Sequence, residues 1–184
     1  MELTAMLRNI PLDIIGLDSF DALTEVEETG DSFLENARLK AAGYARQTDV
    51  SVLADDSGLE VAALDGRPGV LSARYGGVDL PFAKKIDLLL DELAQTGDKN
   101  RASRFCCSIA IAAPNGEILF AADGICNGRI AHKPRGNHGF GYDPIFIPDG
   151  FEKTFGELSD DIKHKISHRG RAFLQIMPFL NGEF

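Results

Sequence analysis

The sequence predicts an α/β fold with mixed strand directions, and three observations support that class. Apolar residues at helical spacing alternate along the chain with short strand-like runs. No internal repeat, low-complexity tract or long linker interrupts the alternation. The 184 residues, of which 44% are hydrophobic, suffice for one domain that buries roughly 70% of its unfolded surface. We therefore expect a single domain over residues 1–184, with helices flanking a mixed β-sheet.

The first well-signalled helix is predicted to begin after Ser32. Ser32 and Glu35 stand in the S-x-x-E relation of a capping box. Apolar positions then recur at helical spacing, at Phe33, Ala37, Ala41 and Tyr44. Ahead of this helix, residues 2–9 resemble part of a helix, and residues 12–17, "LDIIGL", resemble a short strand.

The middle of the chain is predicted to hold a strand pair and a second helix. The run "VSVLA" predicts a strand that ends on Asp55 and Asp56, and "LEVAAL", closed by "DG", predicts its antiparallel continuation. An amphipathic helix follows from the spacing of four apolar residues, Phe82, Ile86, Leu89 and Leu93.

A hairpin and a terminal helix are predicted for the last part of the chain. Asn115-Gly116 lies between two apolar runs and supplies the positive φ values of a tight hairpin turn. The segment "GICNGRIA" is expected to extend this hairpin into a meander. Residues 168–180, "HRGRAFLQIMPFL", predict a helix that is interrupted or ended near Pro178.

Composition excludes several classes of protein. The net charge of -9 argues against a binder of DNA or RNA polymers, because affinity for a phosphate backbone comes from clustered Lys and Arg. The three cysteines, Cys106, Cys107 and Cys126, form neither a C-x-x-C pair nor a zinc-finger spacing, so we expect reduced core thiols. No apolar run is long enough for a membrane span and no signal peptide is evident, so a cytoplasmic location is expected.

Four polar stretches are candidates for chemistry, and each has an ordinary structural alternative. "EVEETG" carries carboxylates that are either solvated partners of a helix dipole or ligands of a hard cation such as Mg²⁺. "ADDSG" is either a polar turn or a site for a metal and a reacting water. "RGNHGFGYDPIF" is either an anchored glycine-rich loop or a surface on which Phe140 or Tyr142 stacks against a flat ligand. "KHKISHRGR" is either a solvated helix face or a patch for a small polyphosphate.

Together these stretches resemble a known family. The ordered set "EETGDSFLENARLKA", "LADDSGLEVAALDGRPGVLSARYGG", "GFGYDPIF" and "KISHRG" closely resembles the inosine triphosphate pyrophosphatase family, from about Glu25 to the end of the chain. The resemblance implies an elongated mixed sheet with a central cleft and a homodimer. It also implies Mg²⁺-dependent hydrolysis of ITP, dITP and XTP to the monophosphate and pyrophosphate, which cleans the nucleotide pool.

The resemblance also assigns roles to individual residues. Asp56 matches the general base that contacts the metal, Asp55 a supporting carboxylate, and Glu27 the other metal ligand. Lys40 matches a cation that neutralises charge on the phosphoryl oxygens. The remaining matches are substrate-contacting positions: Ser57, Phe140, Gly141, Tyr142, Asp143, Lys163, His168 and Arg169.

One departure keeps an alternative function open. Members of this family normally open with a strand and a T/S-x-N-x-x-K loop that holds the triphosphate, and the 184 residues contain neither. We expect either a start that lies upstream or an impaired form. The alternative is therefore a nucleotide-binding or interaction protein without turnover, and a third possibility is a phosphatase of a related fold that releases orthophosphate.

Overall fold

A computed structural model describes residues 12–182 and has an α/β architecture. Within that range the sheet has four strands in the order β1-β2-β3-β4, namely β1 Val52–Val61, β2 Ala102–Ala112, β3 Ile118–Ile130 and β4 Phe146–Pro148. The described helices are α1 Phe33–Thr48, α2 Phe82–Gln95, α3 Asp160–Ile166 and α4 His168–Leu180. Short 3₁₀ turns lie at Leu17–Ser19, Ala62–Leu64, Gly69–Arg74 and Asp143–Ile145. The fold class predicted from the sequence is confirmed.

The described sheet is open and its strands run antiparallel. A tight turn leads from β2 directly into β3, and β4 then pairs antiparallel with the end of β3, with Gly128 opposite Pro148. The expected mixture of strand directions is therefore not seen among the described strands.

The chain divides into two compact units. The first holds the described residues up to Asp56, then Cys107–Gly124, then those from Arg169 onward. Its core has two parts, because α1 and α4 each pack on the strand residues that belong to this unit. Small residues of α1 pack with residues of β1 and β2, at Ala37, Ala41, Ala45, Val52, Ala110 and Ala112. The second part is formed by α4, whose Ala172, Phe173 and Ile176 pack against Cys107, Ile109 and Ile111 of β2.

The second unit comprises Ser57–Cys106 and Ile125–His168 and has its own core. Buried aliphatic residues of α2, Ile86, Leu89 and Leu93, belong to this core. Three phenylalanines, Phe105, Phe146 and Phe155, also belong to it, and the rings of Phe105 and Phe146 have centroids 4.6 Å apart. Aromatic pairs at this separation add to the stabilisation that burial gives.

The predicted helices within residues 12–182 are confirmed, and α1 begins after Ser32 as predicted. The Ser32 hydroxyl accepts a hydrogen bond from the Glu35 N–H at 3.2 Å, and the Glu35 carboxylate accepts one from the Ser32 N–H at 3.1 Å, which completes the capping box. The terminal helix α4 runs on to Leu180 with Pro178 inside it. The expected helix at residues 2–9 lies outside the described residues.

Two strand predictions are wrong. Residues 12–17 form no strand, and the chain there is irregular before the turn Leu17–Ser19. "LEVAAL" is not a separate strand, because β1 continues without a break from Val52 to Val61 and ends in the turn Ala62–Leu64. The Asp-Ser-Gly sequence lies inside this strand, so the polar turn that was one alternative for "ADDSG" is not formed.

The hairpin is confirmed, although its turn differs from the prediction. Of Asn115 and Gly116, only Gly116 has a positive φ, of 82°. The Gly116 N–H donates to the Ala113 carbonyl at 2.7 Å, so Pro114 and Asn115 occupy the centre of the turn. The meander is replaced by one long strand, because "GICNGRIA" belongs to β3 up to Ile130. A Cβ on Gly128 would overlap the Ile147 carbonyl of β4, which explains this glycine within a strand.

The remaining structural expectations concern the cysteines and the membrane. All three cysteines are buried and none forms a disulfide, as predicted. Over residues 12–182, no helix has the length and apolar character needed to cross a bilayer.

Candidate active site

Asp55 and Asp56 lie inside β1 rather than at its end. Successive side chains of a strand point to opposite faces of the sheet. Accordingly, Asp56 pairs with Lys40 of α1, whereas Asp55 pairs with Arg169 of α4. Strand geometry therefore separates the two carboxylates and gives each its own cationic partner.

Asp56 is a buried carboxylate held by two donors. It is 9% exposed, and its Oδ1 accepts a hydrogen bond from Lys40 Nζ at 2.9 Å. Its Oδ2 lies 3.4 Å from the Asn36 Nδ2 donor. Burial raises the pKa of Asp56 above its ordinary value, although the Lys40 ammonium opposes that rise. A carboxyl of this kind exchanges a proton more readily near neutral pH than an exposed aspartate does.

Lys40 bridges two carboxylates of the first unit. Its Nζ lies 2.9 Å from Glu28 Oε1 and 2.9 Å from Asp56 Oδ1. Burial lowers the pKa of Lys40, but the hydrogen bonds and charges of Glu28 and Asp56 outweigh it, so the net shift is upward. Lys40 therefore remains an ammonium at neutral pH.

The sequence missed Asn36, which is fully buried in α1. Its Nδ2 faces Asp56, and its Oδ1 accepts a hydrogen bond from the Gly30 N–H at 2.8 Å. Asn36 thus links Asp56 to the segment that carries Glu28. The spacing was an available signal, because Asn36 and Lys40 are four residues apart and share one face of a helix. Asparagine inside a helix is also unfavourable without such a partner.

Two of the three glutamates in the acidic stretch ahead of α1, Glu27 and Glu28, are placed differently. Glu28 is half-buried and paired with Lys40, whereas Glu27, the predicted metal ligand, is exposed. Among the described residues, no group of three or more His, Cys, Asp or Glu side chains is arranged to hold a metal. Two carboxylates, Glu28 and Asp56, nevertheless converge on one ammonium. Carboxylate oxygens therefore gather around Lys40, and oxygen ligands of this kind are the ones that a hard metal ion such as Mg²⁺ prefers.

Asp55 anchors Arg169 on the other face of β1. Its Oδ2 accepts hydrogen bonds from Arg169 Nη2 at 2.7 Å and from Arg169 Nε at 3.1 Å. The Sγ of Cys107 lies 3.8 Å from the same oxygen. Burial is the main cause that raises the pKa of the Cys107 thiol, and the charge of Asp55 adds to it. Cys107 is therefore an uncharged thiol at neutral pH, unlike a reactive cysteine.

The second unit contains a pocket of about 110 Å³ with aromatic walls. Six of the residues that the sequence predicted to contact substrate line it, namely Ser57, Phe140, Gly141, Tyr142, Asp143 and His168. The His168 ring stacks on Phe105 with centroids 4.6 Å apart and an interplanar angle of 12°. Such walls suit a flat ring, which could pack against their aromatic faces.

Phe82 is a wall of this pocket that the sequence placed in the helix core. It is 40% exposed and meets Tyr142 edge to face, with centroids 5.6 Å apart. The helical spacing identified Phe82 as apolar but not as exposed. Phe82 is the first residue of α2, next to the preceding loop, and this terminal position accounts for its exposure.

Lys163 and Asp143 form a buried ion pair. Their side chains are 4% and 3% exposed, and Lys163 Nζ lies 2.7 Å from Asp143 Oδ2. The same oxygen accepts a hydrogen bond from the Phe140 N–H at 2.7 Å. A Cβ on Gly139 would overlap it, so this glycine is required by a close approach within the loop. The pair therefore fixes the loop that carries Phe140 and Tyr142.

The comparisons with known proteins decide the family. A model of the Ham1 family matches residues 1–179. The chain belongs to the Ham1 family. A relative from a Nostoc species, named dITP/XTP pyrophosphatase, is 50% identical over 154 residues, which are 84% of this chain and 76% of the relative. A Bacillus anthracis relative of the same name is 44% identical over 176 residues, covering 95% of this chain and 87% of the relative.

The solved structures agree with this membership. A HAM1 protein from Coxiella burnetii is 40% identical to this Ham1 chain and superposes with a TM-score of 0.91. The match covers 98% of this chain and 92% of that one. The family suggested by the motifs is therefore confirmed.

Proposed function

We propose that this Ham1-family chain hydrolyses non-canonical purine nucleoside triphosphates, ITP, dITP and XTP, to the monophosphate and pyrophosphate. The names of its relatives support the substrate class. The observation that carries the proposal is the buried Asp56, whose pKa is raised and whose carboxylate is held by Lys40 and Asn36. An aspartate in this state is suited to accept a proton from water.

In the proposed reaction a water attacks the α-phosphorus and gives its proton to Asp56. The bond between the α-phosphorus and the oxygen that bridges to the β-phosphorus breaks, and pyrophosphate departs with that oxygen. Lys40 stabilises the negative charge that the phosphoryl oxygens carry during this step. Asn36 keeps the carboxylate oriented toward the water. Asp55 has a supporting role, since it holds Arg169.

Mg²⁺ is the proposed cofactor, with Asp56 and Glu27 as its ligands. Two carboxylates suffice for Mg²⁺, because it retains several waters and also takes substrate phosphate oxygens. When bound, it would neutralise charge on those oxygens. Glu28 is paired with Lys40, and the exposed Glu27 is proposed as the ligand because it matches the metal-binding position of the family that the chain resembles.

Selectivity for the base is proposed to depend on donors and on aromatic stacking. Arg169 carries only donors, so it can bind a 6-keto oxygen but not the 6-amino group of adenine. Phe140 and Tyr142 supply faces for stacking, with Ser57 and His168 as polar contacts. Rejection of GTP would then follow from a lack of room or partners for its 2-amino group. A homodimer in the cytoplasm, acting to clean the nucleotide pool, is proposed on the resemblance to the family.

A pair of matched variants tests the assignment of the base. Asp56→Asn should lower kcat for ITP by about 10²–10⁴-fold, the usual contribution of a general base. Asp87→Asn makes the same chemical change at an exposed site on α2 and should leave kcat unchanged. Wild-type kcat in Asp56→Asn would remove Asp56 from the role of base.

A further inference from the structure

The second unit also carries a basic pocket. It has a volume of about 350 Å³ and is lined by Arg101, Arg129, His132, Lys133, Arg135 and Glu152, among others. Four of these side chains are permanent cations and one is a carboxylate, and a second carboxylate, Glu157, lies beside the pocket with its Oε2 3.4 Å from Arg135 Nε. Such a local excess of positive charge is unusual in a chain whose net charge is -9.

Arg101 supplies a fixed positive charge to the basic pocket. Its Nε donates to the Ile130 carbonyl at 2.7 Å, and its Nη2 donates to the Ala131 carbonyl at 2.8 Å. These bonds fix the plane of the guanidinium. Within residues 12–182, Arg101 forms no ion pair with a carboxylate, and burial lowers its pKa. Arg101 is half-buried, and a cation in such a position without a carboxylate partner is stabilised when an anion binds beside it.

The carboxylate of this pocket offers only weak competition. Glu152 lies 2.9 Å from Arg129 Nη2, but its side chain is 93% exposed. Exposed ion pairs contribute little, so an anion that binds more strongly can displace Glu152 from Arg129. Arg135 Nη2 donates to the backbone carbonyl of Glu152 at 2.9 Å. This bond holds the backbone at Glu152 in place even when the Glu152 side chain moves away.

We propose that the basic pocket binds a phosphate chain, either free pyrophosphate or the phosphate tail of a nucleotide. Guanidinium groups match phosphate oxygens through paired hydrogen bonds, and Lys133 adds a mobile point charge. The volume of about 350 Å³ is sufficient for two or three phosphate groups. The proposal stands on the second unit alone and does not depend on the hydrolysis proposed above.

The test is an NMR titration of the ¹⁵N-labelled full chain with inorganic pyrophosphate. The amide resonances of Arg101, Ala131 and Lys133 should shift and saturate, and sulfate at equal ionic strength should shift them less. Lys133→Glu should weaken binding at these amides by about tenfold or more, because it reverses one charge next to the ligand. Glu152→Gln should tighten binding several-fold, a gain that a purely structural role for these arginines would not produce.

Two controls test the charge specificity of the basic pocket and the source of its ligand. Lys84→Gln removes a cation from an exposed pair on α2 and should leave pyrophosphate affinity unchanged. A parallel titration with ATP assigns the source, since tighter binding of pyrophosphate favours the free anion and tighter binding of ATP favours a nucleotide tail. Shifts without saturation, equal shifts with sulfate, or unchanged affinity in both Lys133→Glu and Glu152→Gln would overturn the proposal.

Discussion

Replacing Lys163 by methionine separates a structural role for this residue from a direct role in binding. In the structure its ammonium lies 2.7 Å from Asp143, and both side chains are almost fully buried. Lys163→Met leaves the Asp143 carboxylate buried without its counter-charge. Removing one partner of a buried pair costs about 3–5 kcal/mol. Since whole domains are stable by roughly 5–15 kcal/mol, this is a large fraction of the total.

The expected result is a clear loss of stability with a secondary effect on activity. For a chain of this size the cost corresponds to a fall in Tm of roughly 6–20 °C, measured by circular dichroism. Lys165→Met, at an exposed position of the same helix, should change the free energy of unfolding by less than about 0.5 kcal/mol. Adding Asp143→Asn to Lys163→Met should recover part of the loss, because no buried charge then remains. A Lys163→Met protein as stable as wild type, with only a raised KM for ITP, would refute the structural reading.

Three further predictions address the metal, a thiol and a phenol. Glu27→Gln should raise the Mg²⁺ concentration needed for half-maximal ITP hydrolysis. Glu28→Gln removes a partner of Lys40 and should lower kcat instead. The same Mg²⁺ dependence in both variants would contradict the assignment of Glu27 as a ligand. Cys107 should react with a disulfide reagent at pH 8 at least about tenfold more slowly in the folded chain than in urea, because burial raises its pKa. Burial and the hydrogen bond to Glu92 raise the pKa of Tyr75 to about 12, so the folded state holds this proton more tightly than the unfolded state. The free energy of unfolding should therefore fall as pH rises above about 10, and it should fall less steeply in Tyr75→Phe. If urea titrations gave the same pH dependence of this free energy for both proteins, the assignment to Tyr75 would be contradicted.

Features encoded by local sequence were predictable. The capping box at Ser32 and the helical spacing behind it fixed the start of α1, and the terminal helix followed from residues 168–180. The hairpin was located correctly because Gly116 needs a positive φ. In each case the signal lies within a few residues of the element it specifies.

Features that depend on distant partners were not predictable in the same way. Asp55 and Asp56 were found by residue type, but their separation onto two faces requires knowing that β1 continues through them. Likewise, the sequence cannot reveal that Lys163 is buried, because its partner Asp143 lies 20 residues earlier. Glu27 and Glu28 are chemically identical, and only the position of Lys40 shows which of them forms the ion pair.

The most direct test of the proposed function is an assay of the purified 184-residue chain with Mg²⁺ against ITP, XTP, GTP and ATP, with pyrophosphate and orthophosphate measured separately. The proposed reaction predicts pyrophosphate from ITP and XTP and hardly any product from GTP or ATP. Orthophosphate as the product, or no pyrophosphate from any of the four nucleotides, would contradict it.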